Sequence, residues 1–290
     1  MCTSHFIGIH GAPRSGTSWL GQLLNSHPAV KYCYQPFFSY AFRGRADLST
    51  NANELRTLFV EMRDSNDDFV NQSGSARIAR SAPSFDKCTP THLIYKEVRF
   101  HHLLPHFMRV LPDFRAIGIV RDPRFMLASW FNAPREFDPT WTLEREWRNA
   151  SLKNRGLEEN WYGFTRWVEL TRLFLHLEQT YSDRFTLIRY EDLVKDTLDS
   201  VKRLMDFCGL AMTKQTRKFI TASTSVNDGD PYGVFRSGRS ETVTPPKCRL
   251  HPEIVSAIQH ELAGTPLDRF ILKLDTDNAR TLMSPDFRGP

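Results

Sequence analysis

Residues 5–20 read His-Phe-Ile-Gly-Ile-His-Gly-Ala-Pro-Arg-Ser-Gly-Thr-Ser-Trp-Leu, and the fold turns on this stretch. It is an apolar strand, a small-residue loop with one arginine, and the opening of a helix. Such a loop binds anions, because its backbone N–H groups converge at the positive end of the helix dipole. Gly11 and Gly16 stand five apart, as in a P-loop, but the Walker pattern then asks for Lys before Ser or Thr. Here Thr17 and Ser18 follow, and the cation sits inside the loop as Arg14. The plain alternative is a tight turn capped by Ser15 or Thr17. Arg14 argues against it, since a cation at a helix N-terminus opposes the dipole unless an anion joins it. The loop reads as a phosphate cradle that does not hold a nucleoside triphosphate in the usual way.

Outward from the loop, apolar runs alternate with amphipathic segments. Strands are expected at 5–10, 30–33, 93–98, 114–120 and 185–189. Helices are expected at 17–25, 52–63, 101–110, 143–153, 161–181, 195–207 and 213–222, with others running through Phe131 and starting after Pro252. Two long polar loops, 64–90 and 223–249, look functional or disordered. Apolar strands separated by helices predict an α/β fold, a parallel sheet covered on both faces, within one domain over 1–290. Ligands then bind beyond the carboxyl ends of the strands.

The chain has 290 residues, 40% of them hydrophobic, enough for a sizeable core. Its net charge of +5 suits an anionic ligand, but the cations are scattered, so no nucleic-acid partner is expected. The five cysteines form no C-x-x-C pair and read as reduced thiols. No stretch of 18 apolar residues occurs and the first strand starts near Met1, so no membrane span and a cytoplasmic location are expected. No ligand cluster suggests a metal.

Three further segments carry chemistry. Arg121 ends an apolar strand and Ser129 follows eight positions on, a pairing that suits a second phosphate. Lys96 lies in an otherwise apolar strand, where a buried cation needs a partner, and strand alternation puts Val98 on its face and Tyr95, Glu97 and Arg99 on the other. Arg189-Tyr190-Glu191-Asp192-Leu193 closes the last strand, and Tyr190 could line a base pocket or simply precede a helix cap.

Together these segments resemble the sulfotransferases that use 3′-phosphoadenosine 5′-phosphosulfate. Pro13–Trp19 is similar to the family's 5′-phosphosulfate loop, Ile119–Pro123 through Ser129 to its 3′-phosphate motif, and Arg189–Leu193 to its third segment. The resemblance implies a P-loop-like three-layer α/β/α fold around the parallel sheet. It implies that Arg14, Ser15, Gly16, Thr17 and Ser18 hold the 5′ end of the donor, with Trp19 and Tyr190 at the adenine. Arg121 and Ser129 would hold the 3′-phosphate, and Arg236, Arg239 and Lys247 offer cations in the late loop. Arginine at position 14 is more similar to the carbohydrate and tyrosylprotein branches than to cytosolic aryl and steroid members.

The resemblance departs at the general base. Carbohydrate and tyrosylprotein members carry a glutamate shortly after the second strand, where this chain has Gln35. Gln35 and Phe37 are therefore expected at the acceptor, Arg14 and Lys96 at the transferring charge, and His102, His101 or Glu97 as the base. A polar small-molecule acceptor such as a sugar is expected, sulfated on a hydroxyl or amine without metal. A P-loop kinase or NTPase, or a non-catalytic protein binding the same donor, stands as the alternative.

Overall fold

The computed structural model describes residues 5–74, 83–239 and 250–272. Five strands form one sheet: β1 (His5–His10), β2 (Val30–Tyr34), β3 (His92–Glu97), β4 (Arg115–Val120) and β5 (Phe185–Arg189). Their order is β2-β3-β1-β4-β5, and every pairing is parallel. Side chains alternate between two apolar layers. Phe6, Leu93, Tyr95 and Ala116 join one, and Ile7, Ile9, Ile94 and Ile117 the other. Helices cover both layers, so the expected three-layer α/β/α arrangement holds.

Helix α1 (Thr17–Asn25) leaves the end of β1, and helix α2 (Ala52–Asp64) buries Leu55, Leu58, Phe59 and Met62. An Asn51–Glu54 capping box starts α2, satisfying backbone donors at its first turn. β1 lies at the centre of the sheet, with β3 on one side and β4 on the other. The chain reverses its direction of travel across the sheet at β1, and the carboxyl end of such a strand opens a crevice. The loop that follows β1 sits there.

Several expectations shift. The helix expected over 143–153 is two single turns, Leu143–Glu146 and Ser151–Asn154, because Ala150 takes φ 48 and breaks the hydrogen-bond ladder. The helix expected at 101–110 opens with a tighter turn at His101–Leu103. Tyr190–Lys195 forms a helix of its own directly after β5. The loop expected over 64–90 contains the helical turn Asp68–Asn71, and the later loop begins after Ser225. Lys247 lies outside the described residues.

Candidate active site

The residues from Gly11 to Gly16 turn sharply between β1 and α1. Arg14 and Gly16 both occupy the left-handed region, at φ 70 and φ 91. Glycine is required at position 16: a Cβ there would lie 2.5 Å from the Tyr190 ring. Helix α1 has no side-chain N-cap and no acidic residue in its first turn. Its leading N–H groups, around Thr17 and Ser18, therefore keep their capacity for an external acceptor.

A cavity of about 410 Å³ opens at this point. The loop and α1 contribute Arg14, Gly16, Thr17, Ser18 and Trp19, β4 and its following helix (Pro123–Phe131) contribute Arg121 and Ser129, and Tyr190 follows β5. From β2, β3 and the turns after them come Tyr34, Gln35, Lys96, Val98 and Arg99, the last on the cavity side against strand alternation because β3 ends at Glu97. The late loop closes over with Tyr232, Arg236 and Arg239. The three sequence segments thus meet at one place.

On the β4–β5 side, the buried Arg121 guanidinium lies 4.5 Å from the Tyr190 ring centroid. One of its nitrogens donates to the Arg14 carbonyl at 3.1 Å, while its buried Nε has no hydrogen-bond partner among the described residues. Trp19 is buried against this wall, its indole donating to Ser223 Oγ at 3.1 Å and the Arg239 guanidinium 4.0 Å from its ring centroid. Arg236 lines the same wall and is exposed.

At the centre, Arg14 Nε donates to Ser129 Oγ at 3.2 Å, and its other nitrogens reach Glu136 at 3.4 Å and the Pro231 carbonyl at 3.0 Å. Ser129 and Arg14 were expected at separate ends of the ligand, yet they touch. Lys96 is buried over the face of Tyr34, with Nζ 4.3 Å from the ring centroid. Burial draws its ammonium down to about 8, opposed by Glu97 and Glu136.

Other expected residues stand elsewhere. Phe37 is buried among Tyr95, Phe100 and Phe107 and does not line the cavity, because its strand-end turn carries it into the core. Glu97 lies on the face of β3 opposite Lys96 and accepts from the Phe37 N–H at 2.9 Å. Burial lifts its carboxyl to about 8. That makes it the anchor of the turn holding Gln35, whose own N–H donates to the Lys96 carbonyl at 2.8 Å. His101 is buried beneath β1, its Nδ1 3.0 Å from His10 Nδ1, and burial holds both rings neutral. His102 is half-buried beside Phe100 and does not line the cavity. None of the three candidate bases therefore reaches the pocket. Ser15 is fully buried under the loop and does not line it either.

The segment after the Ser129 helix supplies what sequence reasoning missed. Glu136, Lys153 and Tyr162 all line the cavity. Glu136 Oε2 is buried without a hydrogen-bond partner among the described residues. Burial pushes the Tyr162 phenol up to about 12. No periodicity marks these positions, and they come together only because the irregular segment folds back over the strand ends.

A family model described as the sulfotransferase family matches residues 7–214. The chain belongs to the sulfotransferase family. It is 24% identical over 299 residues to carbohydrate sulfotransferase 1 of Danio rerio, covering 79% of this chain and 69% of that protein. It is 26% identical over 257 residues to carbohydrate sulfotransferase 5 of Mus musculus, covering 71% of this chain and 64% of that protein. The chain thus spans about two thirds of these relatives' length, and they belong to the branch to which Arg14 pointed. Among solved structures, mouse sulfotransferase SULT7A1 complexed with PAP superposes with a TM-score of 0.54 at 15% identity, covering 96% of this chain and 89% of that one. Retinol dehydratase in a complex with retinol and PAP superposes at 0.50 with 16% identity, covering 90% and 82%. These two share the fold of this sulfotransferase. No helix among its described residues is long and apolar enough to cross a membrane.

Proposed function

We propose that this sulfotransferase moves a sulfuryl group from 3′-phosphoadenosine 5′-phosphosulfate to a hydroxyl or amine of a carbohydrate acceptor, within a single domain. The observation that carries the reading is the convergence of the β1–α1 loop, Arg121, Tyr190 and Arg239 on one cavity at an uncapped helix N-terminus. Relatives that are carbohydrate sulfotransferases support it, as does the binding of PAP by a protein of the same fold.

The residues fit such a donor. The α1 N-terminus with Thr17 and Ser18 takes the 5′-phosphate. Arg121 offers its unpartnered Nε to the 3′-phosphate, and Trp19, Tyr190 and Arg239 flank the adenine. The donor supplies an activated sulfuryl group on its 5′-phosphate.

The acceptor approaches from the β2–β3 side, where Gln35 can hydrogen-bond its hydroxyl or amine. The acceptor's oxygen or nitrogen forms a bond to sulfur as the bond from sulfur to the bridging oxygen breaks, and that oxygen keeps the electron pair. Arg14 and Lys96 stabilise the charge that builds on the bridging and equatorial oxygens. Glu136 takes the acceptor's proton. Its Oε1 is tied to Arg14 at 3.4 Å, and engagement of Arg14 with the sulfuryl oxygens releases it.

The three described cysteines, Cys33, Cys88 and Cys208, are free thiols, which supports a reducing, cytoplasmic setting. Calorimetry with adenosine 3′,5′-bisphosphate (PAP) against ATP with magnesium tests the reading. Micromolar PAP binding is expected, together with transfer of labelled sulfate to a saccharide panel. Binding of ATP with no binding of PAP would overturn it. PAP binding without transfer to any acceptor would reduce the protein to a non-catalytic binder.

A further inference from the structure

We infer that the acceptor is itself anionic and that Arg99 and Lys153 hold its negative group, beside Tyr162. The inference rests on the sulfotransferase reading and adds the substrate class.

The sheet order divides the cavity mouth. The β4–β5 half carries Arg121 and Tyr190, with Arg236 and Arg239 closing from the late loop. Arg14 and Lys96 stand at the centre. Among the described residues the cavity is lined by eight Lys and Arg side chains against two carboxylates, Glu136 and Asp230. The donor's two charged ends are served by the α1 N-terminus, the β4–β5 half and the centre. Arg99 and Lys153 lie beyond that need, on the β2–β3 side.

Both are set in place by aromatic rings. The Arg99 guanidinium lies 4.1 Å from the Phe38 ring centroid, and Lys153 Nζ lies 5.1 Å from that of Tyr162. Arg99 also reaches the Tyr162 hydroxyl, so the two cations share one ring. Neither pairs with a carboxylate within salt-bridge distance among the described residues. Glu136, whose charge favours the protonated Lys153, is tied through Oε1 to Arg14. Burial lowers the affinity of Lys153 for its proton, Glu136 opposes that, and Arg99 lowers it further. Two partly buried cations that repel each other are costly unless an anion bridges them. Arginine's planar fork and lysine's point charge together suit a carboxylate, a sulfate or a phosphate. A neutral sugar would leave the two cations in excess of the single facing carboxylate of Glu136, which Arg14 shares, once it excluded water.

The test is calorimetry on the full chain saturated with PAP, which reports acceptor binding without turnover. Three matched disaccharides serve as probes. One ends in glucuronate, the second has that carboxylate reduced to the alcohol, and the third is the reduced sugar carrying one O-sulfate. The charged probes should bind at least about tenfold more tightly than the neutral one, and the margin should shrink with added salt. The carboxylate and sulfate arms identify which anion is preferred. Arg99→Gln and Lys153→Gln should each remove most of the margin while leaving PAP affinity unchanged, and Lys153→Arg should restore part of it. Equal binding of charged and neutral probes, or no binding of either charged probe, would overturn the inference. So would loss of PAP affinity in Arg99→Gln or Lys153→Gln, which would assign the cations to the donor. If the wild-type chain failed to bind PAP, the sulfotransferase reading itself would fall.

Discussion

Replacing Arg121 with alanine tests how the cavity divides its ligand. Arg121 is 7% exposed, stacked on Tyr190, with Nε unpartnered and one nitrogen on the Arg14 carbonyl. A charge-assisted hydrogen bond to a phosphate contributes about 1.5–3 kcal/mol, so PAP affinity should fall by roughly tenfold to a hundredfold. The apo protein loses one bond to a carbonyl and one cation–π contact, together about 1–2 kcal/mol, and should stay folded. Calorimetry with PAP and with adenosine 5′-phosphate, which lacks the 3′-phosphate, isolates the contact. Wild type should prefer PAP, and Arg121→Ala should bind the two nearly equally. An equal loss for both ligands would show that Arg121 supports the loop through Arg14 and does not recognise the 3′-phosphate. A preference for PAP undiminished in the variant would remove it from the site.

Four further outcomes follow from particular contacts. Arg14→Ala should cut turnover by about 10²–10³-fold, more than it weakens PAP, because its charge acts on the transferring group; matched losses in kcat and PAP affinity would make it an anchor only. Gly16→Ala should lower stability by about 1–3 kcal/mol in urea denaturation, through its φ of 91 and the 2.5 Å approach to Tyr190, and Tyr190→Ala in the same chain should recover part of that. His10 is held neutral by burial, at about 3 against the usual 6.5, so the unfolded chain takes up a proton that the native state refuses. Stability should therefore fall as pH drops below 6.5, by about 2 kcal/mol from this group at pH 5. His10→Gln should show a shallower acid slope, and an unchanged slope would refute the assignment. Asp122 and Arg124 form a buried ion pair at 2.6 Å, so Arg124→Met, which leaves the buried carboxylate with backbone N–H donors but no cation, should cost about 3–5 kcal/mol; a denaturation midpoint equal to wild type would contradict that.

Conversion of Glu136 to glutamine separates its two contacts. The variant should keep PAP binding and lose transfer. Retained turnover would show that Arg14, not the proton, is what Glu136 serves.

The sequence by itself determined the strands, the loop after β1 and the presence of cations at strand ends. These are local properties: an apolar run buried on both faces, a glycine at a turn, a cation in the loop before a helix. Strand parity was legible only as far as the strand runs. Lys96 faces the cavity while Tyr95 and Glu97 do not, because side chains along a strand must alternate, but β3 ends at Glu97 and Arg99, which alternation puts with Tyr95 and Glu97, lines the cavity beside Lys96 and Val98. Tertiary structure alone decided which chemistry reaches the ligand. It buried Phe37 and His101, left His102 outside, and gave Glu97 the task of holding the turn under Gln35. It also brought in Glu136, Lys153 and Tyr162. Those three lie in a stretch broken by Ala150 and Gly163 in left-handed geometry, and Tyr162 packs on Trp130 from the helix of Ser129. Packing between segments distant in sequence sets their position, and no periodicity within the segment could encode it.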